Sequence, residues 1–175
     1  MDKALCQRRI VLMIEKTFVA IKPDGVQRAL IGEVIKRFEN AGLKLIGIKM
    51  QWLDKDFALK HYTEDISKRR GEKVREMLVN YIVEGPVIAM VWEGIHAIEI
   101  VRKIIGDTEP KGAAPGTIRG DFCHVSYDYA DKKGKAIRNI IHASGNKQDA
   151  EYEIKLWFND KELHSYEVSH EKYVK

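Results

Sequence analysis

Two cysteines in 175 residues, Cys6 and Cys123, exclude a disulfide scaffold, and so few thiols suit a reducing compartment. Four prolines and thirteen glycines leave no Pro/Gly/Ser linker, and neither a repeat nor a low-complexity stretch is present. The chain therefore reads as one domain. Long apolar runs are missing too. The longest near the start, Ile10–Ile14, is five residues, against roughly 18–20 for a membrane span and about 7–15 for a signal-peptide core. A cytoplasmic setting is the expectation. Neither G-x-x-x-x-G-K-S/T nor G-x-G-x-x-G occurs, so neither of these phosphate-cradling loops is expected. His61, His96, His124, His164 and His170 form no His-x-x-x-His pair, and Cys-x-x-Cys is absent, which argues against structural zinc. Charge is not strongly one-sided: thirty Lys and Arg face twenty-six Asp and Glu. The surplus suits an anionic ligand but lacks the dense basic stripe of a dedicated nucleic-acid binder.

What is present supports a sizeable core, with 45% hydrophobic residues against 32% charged. Thr17–Ile21 is β-rich and runs into Lys22-Pro23-Asp24-Gly25, which predicts a turn. Ile31, Val34, Ile35 and Phe38 follow helical spacing, with Gly42 as the stop. Leu43–Trp52 alternates like a strand. Asp54–Tyr62 and Glu72–Val83 read as helices separated by a basic turn, Lys68-Arg69-Arg70-Gly71. Pro86–Trp92 is almost wholly apolar, as a central strand requires. Ile95–Ile105 is helical, and Gly106–Gly116 is a loop with three glycines and two prolines. Arg138–His142 predicts a last strand and Asp149–Phe158 a last helix. This alternation points to an α+β fold, a sheet covered by helices.

Polar residues beside buried stripes carry the most information. In the last helix Glu153 sits next to the Ala150, Ile154, Trp157 face, where a carboxylate either reaches solvent or needs a partner. Arg102 lies beside the stripe of Ile98, Val101 and Ile105; it either snorkels outward or aims into a cleft holding an anion. Lys22 closes an apolar strand, a common place both for ligand groups and for ordinary solvated lysines. His142 ends Asn139-Ile140-Ile141 and precedes the small residues Ala143-Ser144-Gly145. It is either a structural histidine or an accessible nucleophile or base.

Together the segments resemble nucleoside diphosphate kinases from about Lys16 to about Tyr173. The matching stretches are TFVAIKPDGVQR (Thr17–Arg28), IGEVIKRFE (Ile31–Glu39), His61-Tyr62, GPVIAMVWEG (Gly85–Gly94), PGTIRGDF (Pro115–Phe122), NIIHAS (Asn139–Ser144) and EIKLWF (Glu153–Phe158). The resemblance implies a ferredoxin-like fold with a four-stranded antiparallel sheet and a homo-oligomer, a hexamer or a tetramer. It also implies γ-phosphoryl transfer between nucleoside tri- and diphosphates, with ATP the main donor, by a ping-pong route through a phosphohistidine on His142. Lys22, Tyr62, Ser144 and Glu153 then join His142 in catalysis. Lys22, Arg102, Thr108, Arg119 and Asn139 hold phosphates and ribose, with Mg²⁺ carried by the phosphates rather than by protein ligands. Neither a membrane nor a nucleic acid is the expected partner. The [KR]-G-aromatic pattern of RNA-recognition sheets, which share this topology, is absent.

Three departures stand out. The position that often holds a stacking Phe aligns with Val74, near Leu78, and the opposite wall with Ala136 or Ile137. Aliphatic walls lose roughly 1 kcal/mol of aromatic stacking, so base affinity is expected to be weak and specificity broad. Residues 126–135 read as an insertion resembling archaeal members. Residues 1–15 are expected to be an extension to a domain over 16–175, with Met13 a candidate start.

Overall fold

A computed structural model of the chain describes residues 13–169 and 171–174. Residues 1–12, with Cys6, lie outside them. The elements run β1 (Ile14–Ile21), α1 (Pro23–Gln27), α2 (Ile31–Asn40), β2 (Lys44–Trp52), α3 (Lys55–His61), α4 (Glu64–Arg70), α5 (Glu72–Ile82), β3 (Pro86–Ile95), α6 (Ala97–Ile105), α7 (Ile118–Phe122), α8 (Tyr127–Lys132), β4 (Ile141–Ala143), α9 (Lys147–Trp157) and α10 (Glu171–Val174). β1 begins at Ile14, paired with Ile95 of β3, within the span 1–15 read as an extension.

The sheet order is β2-β3-β1-β4 and each neighbouring pair is antiparallel, the ferredoxin-like α+β arrangement. The two central strands, β1 and β3, are the most apolar because both of their faces are covered. Val19 and Ile21 point to one core with Phe38 of α2, Trp92 of β3 and Val101 and Ile105 of α6. Phe18 and Ala20 point to a second core with Ala58 of α3, Val79 and Ile82 of α5 and Trp157 of α9. Alternate residues of one strand thus anchor opposite helical layers. β2 is an edge strand, and its outward Ile48, Met50 and Trp52 are 49%, 59% and 66% exposed.

Several boundaries differ from the sequence reading, each for a local reason. The expected turn at Lys22-Pro23-Asp24-Gly25 opens α1 instead, because Pro23 supplies a helical φ at a position whose N–H needs no intrahelical partner. The basic turn is the last turn of α4, where cations suit the carbonyl end; the break with α5 is at Gly71, whose φ is 89°. β3 continues to Ile95, and α6 starts only at Ala97. The segment 126–135, read as an insertion, carries a helix, α8, capped by Ser126, whose side chain accepts the Tyr129 N–H. α9 starts two residues earlier than expected because Asn146 caps it, accepting from the Asp149 N–H at 2.9 Å.

The largest difference is the last strand, which shrinks from Arg138–His142 to Ile141–Ala143. Ile140 has φ 66°, in the left-handed region that a β-branched residue avoids. Its neighbours hold it there. The Ile140 N–H donates to Asp24 Oδ2 at 3.1 Å and its carbonyl accepts from the Lys22 N–H at 2.7 Å. A Cβ on Gly25 would come within 2.9 Å of Ile140 Cγ2 and 2.7 Å of Ile21 Cγ2, so the approach of α1 to this segment requires glycine.

Candidate active site

His142 is held by backbone pairing between β4 and β1, opposite Ala20. The short turn after it reverses the chain into α9, whose second turn returns Glu153 to the imidazole. His142 Nε2 lies 2.7 Å from Glu153 Oε1, and Ser144 Oγ donates to Glu153 Oε2 at 2.5 Å. Both carboxylate oxygens are therefore engaged. Burial pushes the Glu153 carboxyl up, but the His142 ring and its hydrogen bond, with His61 and Ser144, outweigh this and bring it to about 2. An ionised carboxylate can only accept, so Nε2 carries the hydrogen, and in the neutral ring the lone pair is then on Nδ1. Of the two readings of Glu153, the paired one holds.

His61, at the end of α3, was not singled out by the sequence for this site. Its ring stands nearly perpendicular to His142, with centroids 4.8 Å apart. Trp157 Nε1 donates to its Nδ1 at 3.3 Å. Burial, then the neighbouring His142, lowers its pKa to about 3. It is thus a neutral wall, and its 3.9 Å approach to Glu153 is not an ion pair.

A second network arrives from the other side. Lys22 Nζ donates to Asn139 Oδ1 at 2.8 Å, and Asn139 Nδ2 donates to the Thr108 carbonyl at 2.9 Å. Burial, reinforced by Arg119, lowers the Lys22 pKa to about 7 despite Asp24. Asp24 accepts from the Tyr81 hydroxyl as well as from Ile140, tying α1, α5 and the approach to β4 together.

Arg119 differs from the expectation of a free phosphate ligand. Its guanidinium donates to the carbonyls of Asn139, Gly106 and Ile141 at 3.3, 2.9 and 2.7 Å. It lines the cleft while also bracing the backbone that carries His142. Burial, followed by Arg102, lowers its pKa to about 10. Arg102 is exposed and lines the cleft, so it reaches solvent and borders the cleft at once.

These groups border a cleft of about 260 Å³ that brings together Lys22, Tyr62, Arg102, Thr108, Arg119, Asn139 and His142. The Tyr62 hydroxyl is buried there without a partner among the described residues, and burial pushes its pKa up. Arg69 and Arg70 of α4 also line the cleft, where the sequence suggested only a basic turn; their clustering was the available signal. Val74 and Ala136 lie apart from the imidazole. With Leu78 and Ile137 they line an adjoining cavity of about 330 Å³, and Leu78, Ile137 and Arg70 border both spaces.

Among the described residues one cluster has metal-ligand character, His61, His142 and Glu153. It is nitrogen-rich and engaged in hydrogen bonds, a poor match for Mg²⁺, which prefers oxygen ligands. No helix among the described residues is long and apolar enough to cross a membrane.

The family profile described as nucleoside diphosphate kinase matches residues 15–163. The chain belongs to the nucleoside diphosphate kinase family. Among its relatives, the nucleoside diphosphate kinase of Borreliella burgdorferi is 49% identical over 156 residues, covering 89% of this chain and 93% of that protein. That of Pyrococcus furiosus is 50% identical over 153 residues, 87% of this chain and 88% of that protein. A solved structure of the Borrelia burgdorferi enzyme, a transition-state mimic with bound vanadate and ADP, superposes with a TM-score of 0.92 at 47% identity. It covers 93% of this chain and 98% of that one. The family member from Halobacterium salinarum, in complex with CDP, gives 0.80 at 39% identity, covering 92% and 98%.

Proposed function

We infer that this nucleoside diphosphate kinase transfers the γ-phosphoryl group of a nucleoside triphosphate, chiefly ATP, to nucleoside diphosphates through His142. The observation that carries the reading is the 2.7 Å contact between His142 Nε2 and an ionised Glu153, which leaves Nδ1 as the nucleophilic atom. In the first half-reaction Nδ1 attacks the γ-phosphorus, the bond to the β-phosphate bridging oxygen breaks, and the diphosphate leaves with that electron pair. In the second, a β-phosphate oxygen of another diphosphate attacks phosphorus and the N–P bond breaks, restoring the imidazole. Binding both nucleotides in turn at one site gives ping-pong kinetics.

Each residue then has a physical task. Glu153, oriented by Ser144, keeps the hydrogen on Nε2 and stabilises the positive charge the ring gains on attack. Lys22, Arg102 and Arg119 offset charge spread over the phosphoryl oxygens, which dominates catalysis of this class. Thr108 and the unpartnered Tyr62 hydroxyl donate hydrogen bonds, and Lys22 and Asn139 reach the ribose. Val74, Leu78 and Ala136 form the aliphatic base slot. Mg²⁺ fits as an ion held by phosphate oxygens and water, supplying charge neutralisation there. The exposed apolar edge of β2 suits a homo-oligomer, a hexamer or a tetramer. The domain is read over residues 16–175, with its first strand starting just ahead of that bound at Ile14, and the cytoplasm is the setting.

Incubation with γ-labelled ATP alone is expected to leave acid-labile, alkali-stable label on the protein. His142→Ala, verified as folded by its melting profile, is expected to carry none. Equal labelling of the variant overturns the assignment.

A further inference from the structure

The aliphatic slot has a third wall that the family resemblance does not supply. Beside Val74 and Leu78 on one side and Ala136 and Ile137 on the other, Tyr127 and Asp131 of α8 and Lys135 just after it line the same cavity. The insertion is held over the slot by defined bonds. The Tyr127 N–H donates to Glu109 Oε1 at 2.8 Å, the Lys111 N–H donates to the Val125 carbonyl at 3.1 Å, and the Arg70 guanidinium lies 5.9 Å from the Tyr127 ring centroid. α8 is therefore tethered both to the loop carrying Thr108 and to the helix carrying Arg70.

Asp131 and Lys135 bring opposite hydrogen-bonding character to this wall. A carboxylate only accepts and an ammonium only donates. The two side chains are exposed, and neither forms an ion pair or hydrogen bond among the described residues. Their donor and acceptor capacity is available to a ligand.

The edges of the bases differ in the same terms. Guanine, hypoxanthine, uracil and thymine present a carbonyl oxygen next to a ring N–H. Adenine and cytosine present an amino group next to an unprotonated ring nitrogen, the reverse order. An ammonium on the carbonyl oxygen and a carboxylate on the ring N–H satisfy the first pattern. Held in that same order against the second, the ammonium meets an amino group and the carboxylate a nitrogen lone pair, whereas the reverse order would suit the second pattern.

We propose that Asp131 and Lys135 of the insertion read the polar edge of the bound base and favour keto bases over amino bases. Lys135 donates to the carbonyl oxygen and Asp131 accepts from the adjacent ring N–H, while Val74, Leu78 and Tyr127 hold the ring without reading it. Because both groups face solvent, the preference is small, about three- to tenfold, and all bases remain substrates. This rests on the reading that places the nucleotide's phosphates at His142.

Size-matched diphosphates isolate the edge from the ring. The rate of dephosphorylation of the phosphohistidine enzyme is measured with inosine against adenosine diphosphate, and with uridine against cytidine diphosphate. Both ratios are expected to favour the keto member by about three- to tenfold. Asp131→Asn and Lys135→Met are expected to bring both ratios close to one. Such variants leave self-phosphorylation by ATP intact within the small factor that adenine loses or gains, so formation of the phosphoenzyme separately reports on His142. Equal use of keto and amino bases by the unaltered protein overturns the proposal, as do ratios that both variants leave unchanged. A purely structural role of α8 would shift the melting temperature or slow all four diphosphates together, leaving the ratios intact, and so also counts against it.

Discussion

The two ends of the cleft are built on different physics. At the imidazole end, charged and polar groups are buried and almost fully paired. Lys22, Arg119 and Glu153 are each less than a tenth exposed, and their partners come from β4, the residues directly before and after it, and the loop between α6 and α7. At the other end the cavity walls are largely aliphatic, formed by Val74, Leu78, Ala136 and Ile137, and Asp131 and Lys135 on them are exposed and without a side-chain partner among the described residues. A buried network has one low-energy arrangement because any displaced partner leaves an unsatisfied charge. An aliphatic slot tolerates rings of different size because dispersion has no direction. Position is thus demanded around the imidazole, and latitude is allowed in the aliphatic slot.

The sharpest way to break this contrast is to remove one charge without changing shape. Glu153→Gln keeps an acceptor near His142 Nε2 but loses the negative charge. Phosphorylation of His142 in a single turnover is expected to slow about 100-fold while nucleotide affinity changes little. A rate within twofold of the parent would show that the carboxylate only positions the ring.

A middle-sized effect concerns Lys22. Its pKa of about 7 in the free protein means that the side chain loses its proton as pH rises through neutrality. Phosphate favours the charged form, so binding must raise this pKa and draw a proton from solvent above pH 7. ADP affinity is expected to be flat below about pH 6 and to fall by up to about tenfold between pH 7 and 8. Calorimetry in buffers of different ionisation enthalpy reads the proton uptake directly. Its absence at pH 8 contradicts the burial argument, and Lys22→Met should abolish it.

The smallest change is expected at the other end. Val74→Phe adds an aromatic face to the slot and should tighten nucleotide binding by about 1 kcal/mol, roughly fivefold, for every base alike. Tightening confined to purines, or none, would mean that Val74 does not lie against the ring.

The pattern of the sequence reached surprisingly far into the buried end for a mechanical reason. Lys22, Arg102, His142 and Glu153 are polar residues at the margins of apolar stripes, and such residues need partners. It reached less far into conformation. The left-handed φ of Ile140 cannot be read from Asn139-Ile140-Ile141, whose composition favours a strand; it exists because Asp24 and Lys22, over a hundred residues earlier, bind its N–H and carbonyl. Arg119 could be recognised as a cation, but not as a brace across three carbonyls. His61 was hidden because its neighbours in the chain say nothing about the ring it faces.

Local composition determined the strands, most helices and which polar residues interrupt apolar stripes, because periodicity and polarity act over a few residues; the phosphate-holding roles came from the family resemblance. Only tertiary structure decided which nitrogen of His142 faces Glu153, how far burial depresses the Lys22 ammonium, and that α8 lines the cavity beside Val74 and Ala136. Those properties depend on distances between segments far apart in the chain, where hydrogen bonds and charge interactions are set by packing.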